Sequence, residues 1–230
     1  MESILWKTIR LGGHQLRYSI AGQGRAVLIP KKDRHGYLAA TGLAERYRVL
    51  QVEPIGFGHS DRPDRYPSIS VPEQILAVCD AEGVEDFAVW GYSQGGAMAC
   101  AVAQATPRAR AVVCGGFNVL RPPTAAWIAT MNREQRVAAG SRAFWNYFTG
   151  FDWHLELRRL EVPILVYAGT RDKQRPTVRD QGILRALEID VVNLRGFNHP
   201  ECGLGNSASP ATSVVTDWLQ HRGWTPLHLQ

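Results

Sequence analysis

The stretch DFAVWGYSQGGAMACAVAQA, residues 86–105, predicts a strand, a tight turn and a helix in direct succession. A short apolar run comes first, and small residues with helical composition follow it. Between them, the segment Gly91-Tyr92-Ser93-Gln94-Gly95 places a serine two positions from a glycine on either side. Such a strand-to-helix turn strains the serine backbone and exposes its Oγ. The pattern is short and also arises by chance, so the rest of the chain must decide between a reactive serine and an ordinary glycine-rich loop.

Strands and helices alternate on both sides of this stretch. The chain opens with a predicted hairpin of two strands, 5–11 and 14–20, joined through Gly12 and Gly13. Further strands are predicted at 25–30, 48–53, 109–116, 162–169 and 189–196, and further helices at 36–47, 71–83, 177–188 and 208–222. Alternation of this kind favours βαβ units and an α/β fold with a mostly parallel central sheet, an antiparallel N-terminal hairpin and helices on both faces.

One segment interrupts the alternation. Residues 118–160 lie between two predicted strands and are too long for a simple crossover. We interpret them as a short helical lid inserted over the carboxyl edge of the sheet, and residues 1–117 with 161–230 as the core.

Two downstream loops carry partners that a serine nucleophile would need. A serine hydroxyl is a weak nucleophile at neutral pH unless a base lies within hydrogen-bond reach and an acid orients that base. Asp172 follows the predicted strand 162–169, and His199 follows the strand 189–196. Loops at the carboxyl ends of parallel strands share one edge of the sheet, so Ser93, Asp172 and His199 are expected to meet there.

These segments together resemble the α/β-hydrolase family over about residues 6–218. The matching motifs are RLGGHQLRYSIAGQG (10–24), ERYRVLQVEPIGFGHSDRP (45–63), GYSQGG (91–96), GTRD (169–172) and GFNH (196–199). The resemblance implies that Ser93 is the nucleophile, His199 the general base and then acid, and Asp172 the group that orients His199. It also implies that the Gln94 backbone N–H is one oxyanion donor.

The chain departs from this family after the third strand, where relatives usually carry His-Gly-x-Pro-Gly. This chain has VLIPKKDRHGY, residues 27–37, in which Lys32 takes the place of the second oxyanion donor. An alternative alignment uses His35-Gly36, but it leaves too little chain for the following helix. The N–H of Lys32 could serve as the donor, or a lysine ammonium could bind the oxyanion or an acidic substrate group. The third alternative is chemistry other than ordinary acyl transfer.

A second departure lies at the end of the fourth strand. Relatives often have Asp-x-Arg-Gly there, whereas this chain has Glu53-Pro54-Ile55-Gly56. A structural role is the expectation for this difference.

The predicted lid is expected to select the substrate, because the serine, histidine and aspartate alone are generic. Its aromatic side chains either line an apolar pocket or pack the lid onto the core. With Tyr92 and Lys31, the candidate substrate-binding residues are Trp127, Phe144, Trp145 and Phe148. The lid also carries six arginines and few acids, which together with Lys31 and Lys32 favours an apolar substrate that bears a carboxylate or another anionic group.

Composition argues against several other classes of protein. A formal net charge of +5 with scattered basic residues gives no stripe or motif for nucleic-acid binding. The cysteines at 79, 100, 114 and 202 have no metal-binding spacing, and the first three fit buried thiols. No signal-peptide pattern or membrane-length apolar run occurs. We therefore expect a soluble cytoplasmic enzyme without metal or cofactor that binds a small molecule, and no feature fixes its oligomeric state.

Three functions remain open from the sequence. The first is a serine hydrolase of a carboxylic ester, thioester or lactone. The second is different chemistry on the same fold, such as carbon–carbon bond hydrolysis or a cofactor-free lyase or cyclase reaction. The third is a binding protein that captures a ligand without turnover.

Overall fold

The computed structural model describes residues 4–30, 39–63, 67–121, 153–203 and 210–226. Within them, eight strands form one sheet: β1 (Leu5–Leu11), β2 (His14–Ala21), β3 (Ala26–Pro30), β4 (Arg48–Glu53), β5 (Phe87–Tyr92), β6 (Ala109–Gly115), β7 (Ile164–Gly169) and β8 (Asp190–Leu194). Their spatial order is β1-β2-β4-β3-β5-β6-β7-β8. The strands from β4 to β8 are parallel, whereas β2 pairs antiparallel with both β1 and β4.

The opening hairpin follows the prediction closely. Leu11 pairs with His14, so only Gly12 and Gly13 form the turn. Both glycines have positive φ, at +56° and +83°. Two successive positive φ values match the twist of the flanking strands and favour glycine.

The helices cover both faces of the sheet. They are α1 (Ala39–Ala44), α2 (Val71–Ala81), α3 (Gln94–Ala105), α4 (Trp153–Arg158), α5 (Val178–Ala186) and α6 (Ala211–His221), with a short 3₁₀ turn at Pro200–Cys202. Apolar residues of α2, α3 and α5 pack in one core cluster, and those of α1 and α6 pack in a second. The predicted α/β fold with a mostly parallel sheet is confirmed.

The strand β5 has no alternation of polar and apolar residues, because both of its faces are covered. Phe87 and Val89 belong to the core cluster under α2 and α3, while Ala88 and Trp90 belong to the cluster on the opposite face. All four are buried. A parallel strand covered on both faces therefore appears in the sequence as a continuous apolar run.

The helix α1 ends three residues before its predicted end. The segment 36–47 was expected to be helical throughout, but α1 ends at Ala44. Tyr47 instead lies fully buried, and its hydroxyl donates to the carbonyl of Trp224, 2.9 Å away. That tertiary contact accounts for the early end of the helix.

The predicted lid mostly lies outside the described residues. Of the range 118–160, only 118–121 and 153–160 are described, and they include α4. The division into core and lid therefore stays a prediction. Among the helices of the described ranges, none has the length and apolar character needed to cross a membrane.

Candidate active site

The serine of the opening stretch occupies the turn between β5 and α3. Ser93 has a φ of +53°, a conformation that non-glycine residues seldom adopt. Its N–H donates to the carbonyl of Gly115 over 2.7 Å, and its carbonyl accepts from the N–H of Gly96 over 2.9 Å. These two bonds fix the turn to the next strand and to the first turn of the helix.

Backbone atoms approach both flanking glycines closely, and Gly91 has no room for a side chain. A Cβ on Gly91 would lie 1.8 Å from the carbonyl oxygen of Gly95, which no side chain can tolerate. A Cβ on Gly95 would lie 3.0 Å from the carbonyl oxygen of Pro30. Glycine at 91 is therefore a steric condition of the sharp turn, as the sequence pattern indicated, and Gly95 is tightly packed.

The structure brings together the serine, the histidine and the aspartate that the sequence singled out. His199 Nε2 lies 3.1 Å from Ser93 Oγ, and His199 Nδ1 lies 2.8 Å from Asp172 Oδ2. The Asp172 side chain is 1% exposed, whereas that of His199 is 35% exposed. A buried carboxylate, an imidazole and a serine hydroxyl thus form one chain of hydrogen-bonding groups that ends at an accessible surface.

Asp172 is held from more than one side. Its Oδ1 accepts from the backbone N–H of Gln174 over 2.8 Å, and its own N–H donates to the carbonyl of Gly169 over 3.0 Å. Because each carboxylate oxygen has a donor, the carboxylate plane is fixed. A fixed carboxylate in turn fixes the orientation of the His199 ring.

The loop that carries His199 has its own internal support. The Asn198 side chain accepts from the Glu201 N–H over 3.1 Å, and the Glu201 carboxylate accepts from the Asn198 N–H over 2.7 Å. Arg171 donates to the Glu201 carboxylate over 3.1 Å, and its backbone N–H donates to the Phe197 carbonyl over 2.9 Å. This reciprocal arrangement resembles a helix capping box and joins the His199 loop to the Asp172 loop. The Asn-x-x-Glu spacing at 198–201 is a signal that sequence reasoning could have used.

Tyr92 contacts His199 through both its ring and its hydroxyl. Its hydroxyl donates to the His199 carbonyl, and the centroids of the two rings are 5.2 Å apart. Burial, followed by the negative charge of neighbours including Asp172, raises the pKa of Tyr92 well above its usual value. The phenol therefore remains a neutral donor. Contact of Tyr92 with substrate stays a prediction, while its hydroxyl is already engaged by the protein.

Cys202 ends the 3₁₀ turn that follows His199. It is fully buried, like the other three cysteines. Burial, together with the charges of Asp172 and Glu201, raises the pKa of Cys202 to about 11. A thiol with so high a pKa is protonated at neutral pH and is a poor nucleophile. Ser93 is therefore the better candidate for the reactive group.

Of the remaining candidate oxyanion-hole and substrate-binding residues, the structure describes only Gln94. Gln94 is the first residue of α3, so its N–H lies at the positive end of a helix dipole. Its side chain is buried, and among the described residues no acceptor contacts its Nε2. The remaining candidates lie outside the described residues: Lys31, Lys32, Trp127, Phe144, Trp145 and Phe148.

Glu53 has a structural role in the loop that follows β4. Its side chain is fully buried, and its carboxylate accepts from the backbone N–H of His59 over 2.7 Å. His59 Nδ1 also lies 3.2 Å from the same carboxylate. A Cβ on Gly58 would lie 2.3 Å from Glu53 Cδ, so the loop wraps closely around the carboxyl group. The expectation of a structural role fits these contacts.

A groove of about 690 Å³ lies elsewhere on the molecule. Its lining includes Ile164 and Asp190, the first residues of β7 and β8. Ser93, Asp172 and His199 all follow the carboxyl ends of their strands, so the groove lies at the opposite edge of the sheet and is separate from the candidate active site.

Comparison with known proteins gives the same fold. A family model described as the alpha/beta hydrolase fold matches residues 35–134. No curated protein matches the sequence significantly. The strand order and this match show an alpha/beta hydrolase fold, as the sequence motifs predicted.

Several solved structures are similar over nearly the whole chain. E-2-(acetamidomethylene)succinate hydrolase has a TM-score of 0.71 at 14% identity, covering 95% of this chain and 100% of that one. The enol-lactonase from Burkholderia xenovorans LB400 has a TM-score of 0.68 at 20% identity, covering 93% and 100%. An esterase from Rhodococcus sp. ECU1013 has a TM-score of 0.66 at 21% identity, covering 95% and 98%. At these identities the likeness concerns the fold.

Proposed function

We propose that this protein is a serine hydrolase that cleaves a small carboxylic ester, thioester or lactone through an acyl-enzyme. The observation that carries the proposal is the continuous contact from Asp172 through His199 to Ser93, at 2.8 Å and 3.1 Å. The strained turn at Ser93 supports it, since such a turn exposes a nucleophilic hydroxyl.

The geometry supports a two-step reaction. In the first step, Ser93 Oγ attacks the substrate carbonyl carbon while His199 Nε2 accepts the hydroxyl proton. The protonated imidazole then gives this proton to the departing alcohol, thiol or ring oxygen, and the acyl group remains on Ser93. In the second step, water attacks the acyl-enzyme, again with His199 as base and then acid, and releases the carboxylic acid. Asp172 stabilises the imidazolium that forms in each step.

The negative charge that develops on the carbonyl oxygen needs donors. We propose that the Gln94 N–H at the start of α3 supplies one, because backbone donors at a helix N-terminus favour an oxyanion. For the second donor we propose the backbone N–H of Lys32, on the basis of its alignment after β3. Loss of one such donor typically lowers the rate by about 10²–10³-fold, so its identity bears directly on activity.

The substrate class follows from the candidate lid. We propose an apolar molecule with a carboxylate or another anionic group, contacted by the aromatic residues Trp127, Phe144, Trp145 and Phe148 and by the basic side chain of Lys31. The similar solved structures named above include a hydrolase of a succinate derivative and an enol-lactonase. Their names suggest that anionic esters and lactones belong in the first substrate panel.

The proposal is tested with p-nitrophenyl esters of varied acyl length, with and without a terminal carboxylate, and with simple lactones. Wild-type protein should hydrolyse at least one of them. Ser93→Ala should reduce that activity to background, whereas Ser213→Ala, at an exposed serine on α6, should retain it. Equal activity of wild type and Ser93→Ala would contradict the proposal.

The loop after β3 favours one alternative to examine in parallel. Because KKDRHG at 31–36 replaces the usual glycine-rich oxyanion loop, carbon–carbon bond hydrolysis or a cofactor-free lyase or cyclase reaction is the second candidate. Rapid turnover of simple esters would exclude it in favour of the first. Tight ligand binding without turnover, equal in wild type and Ser93→Ala, would instead support a binding protein.

A further inference from the structure

Tyr92 joins the two reacting side chains of the candidate site. It precedes Ser93 in the chain, and its hydroxyl donates to the backbone carbonyl of His199. We propose that Tyr92 is a positioning residue that holds His199 at the distance from Ser93 that proton transfer requires. This inference rests on the proposed hydrolase function and adds a role for a residue outside the serine, histidine and aspartate.

The backbone of Tyr92 is a rigid anchor. Tyr92 is the last residue of β5 and pairs in register with Gly115 of β6. His199, by contrast, lies in a loop beyond β8, and β6 and β7 separate β5 from β8 in the sheet. The phenol therefore spans from the strand that carries the nucleophile to the loop that carries the base.

The ring of Tyr92 has little room to move. A Cβ on Gly116 would lie 2.7 Å from Tyr92 Cζ, and one on Gly203 would lie 3.5 Å from Cε1. The Tyr92 ring also lies against the His199 ring, with 5.2 Å between centroids and 38° between planes. The glycine at 116 allows the phenol to reach the His199 carbonyl, and the ring contact supports the imidazole.

Asp172 alone does not fix His199. Its carboxylate holds Nδ1 and so sets the rotation of the ring, but the position of the ring also depends on the backbone at 199. The Asn198–Glu201 hydrogen bonds stabilise the loop internally, and Tyr92 connects that loop to the turn between β5 and α3. A misplacement of about 1 Å in a reacting group can lower a rate by about 10²-fold.

The first test is Tyr92→Phe, which removes one oxygen atom and keeps the ring. We expect kcat to fall by about tenfold. KM should stay within about twofold of the wild-type value, since ground-state binding is unaffected. Tyr92→Leu, which also removes the ring contact, should lose more. The matched control is Tyr47→Phe, which deletes a buried phenol-to-carbonyl bond and should leave kcat unchanged. Tyr47 precedes the amino end of β4, whereas His199 follows the carboxyl end of β8. Thermal unfolding of each variant checks that it is folded.

A spectroscopic readout separates this inference from the proposed function. The His199 Nδ1 proton in its bond to Asp172 should give a downfield proton resonance in wild type and in Tyr47→Phe. In Tyr92→Phe it should shift or broaden. This comparison needs no turnover, so it decides the positioning role even if Ser93 proves unreactive.

Three results would overturn the inference. One is an unchanged His199 resonance in Tyr92→Phe, whatever happens to the rate. Another is a raised KM with unchanged kcat, which would make Tyr92 a substrate contact instead. The last is an equal loss of kcat in Tyr47→Phe, which would indicate a general effect of core destabilisation.

Discussion

At the scale of single residues, two described non-glycine residues have a strained backbone, and one of them is the proposed nucleophile. Among the described residues, Ser93 and Glu188 are the non-glycine residues with positive φ, at +53° and +58°. Such conformations cost about 1–3 kcal/mol each and persist only where the surroundings impose them. At Ser93 the strain aims the hydroxyl at His199, so it serves the proposed chemistry. At Glu188 it follows the end of α5, a position where glycine is favoured.

Glycine substitutions at the two strained residues, Ser93 and Glu188, can be compared directly. Ser93→Gly and Glu188→Gly should each raise the free energy of unfolding by about 1 kcal/mol, because glycine adopts positive φ without steric conflict. Only Ser93→Gly should abolish hydrolysis. Denaturant unfolding and ester turnover measure the two effects. Destabilisation by Ser93→Gly would contradict the assignment of backbone strain to the turn between β5 and α3.

The orienting carboxylate gives a second prediction at this scale. Asp172→Asn keeps the shape of the side chain but removes the acceptor charge at His199 Nδ1, so it should lower kcat by about 10³–10⁴-fold. Its control is Asp190→Asn, which lies at the amino end of β8 and contacts Trp218 and Arg222. That variant should retain turnover. A loss of less than tenfold in Asp172→Asn would show that Asp172 does not orient His199.

At the scale of elements, the turn between β5 and α3 depends on its glycines. Gly91→Ala would place a Cβ 1.8 Å from the Gly95 carbonyl oxygen, so we expect a loss of at least about 3 kcal/mol in the free energy of unfolding. Gly182 in α5 is the control, because a Cβ there would meet no described atom within 4 Å. Gly182→Ala should stabilise the protein by about 0.5–1 kcal/mol. Thermal and denaturant unfolding compare the two, and a tolerated Gly91→Ala would refute the steric argument.

Most elements could be predicted from the sequence because their signals are local. Strands β4 to β8 are apolar runs between turn residues, and α2 begins with a Ser70–Glu73 capping box that the structure contains. The helix α1 was predicted too long, because the burial of Tyr47 against Trp224 is a tertiary contact that composition does not carry. Local propensity yields to such packing.

At the scale of the whole molecule, one buried carboxylate joins the hairpin to the rest of the sheet. Glu82, just after α2, accepts from Lys7 of β1, Tyr18 of β2 and Arg48 of β4. Burial alone would raise the pKa of Glu82, but hydrogen bonds from Tyr18 and Lys7 and the charges of Lys7 and Arg48 outweigh it, so the pKa is lowered below 4.5. The folded state therefore favours the ionised form.

This cluster predicts a pH-dependent stability. Because the pKa of Glu82 is lower in the folded than in the unfolded state, its stabilising effect is present above about pH 4.5 and is lost as the pH falls through the folded-state pKa. Glu82→Gln should lower the free energy of unfolding by about 1–3 kcal/mol at pH 7, and the difference should shrink in acid. The exposed Glu85→Gln is the control. If Glu82→Gln lowered the free energy of unfolding by the same amount from pH 7 to pH 3, this account would be contradicted.

The fold and the site were predictable to different degrees. The order Ser93, Asp172 and His199 and their places after β5, β7 and β8 follow from topology, which brings the carboxyl ends of parallel strands together. The contacts that brace them, such as the hydroxyl of Tyr92 on the His199 carbonyl, join residues 107 positions apart. No local pattern encodes contacts of that kind. The structural role of Glu53 likewise depends on the three-dimensional course of the loop around its carboxylate.

The most direct test of the central claim is covalent labelling of Ser93. Intact-mass measurement after incubation with a fluorophosphonate should show one phosphonyl adduct on wild type, and peptide mapping should place it at Ser93. Ser93→Ala should gain no adduct, and Asp172→Asn should react far more slowly, because in the proposed mechanism activation passes from Asp172 through His199 to the hydroxyl. A folded wild-type protein that gains no adduct, or gains it at another residue, would contradict the assignment of Ser93 as the activated nucleophile.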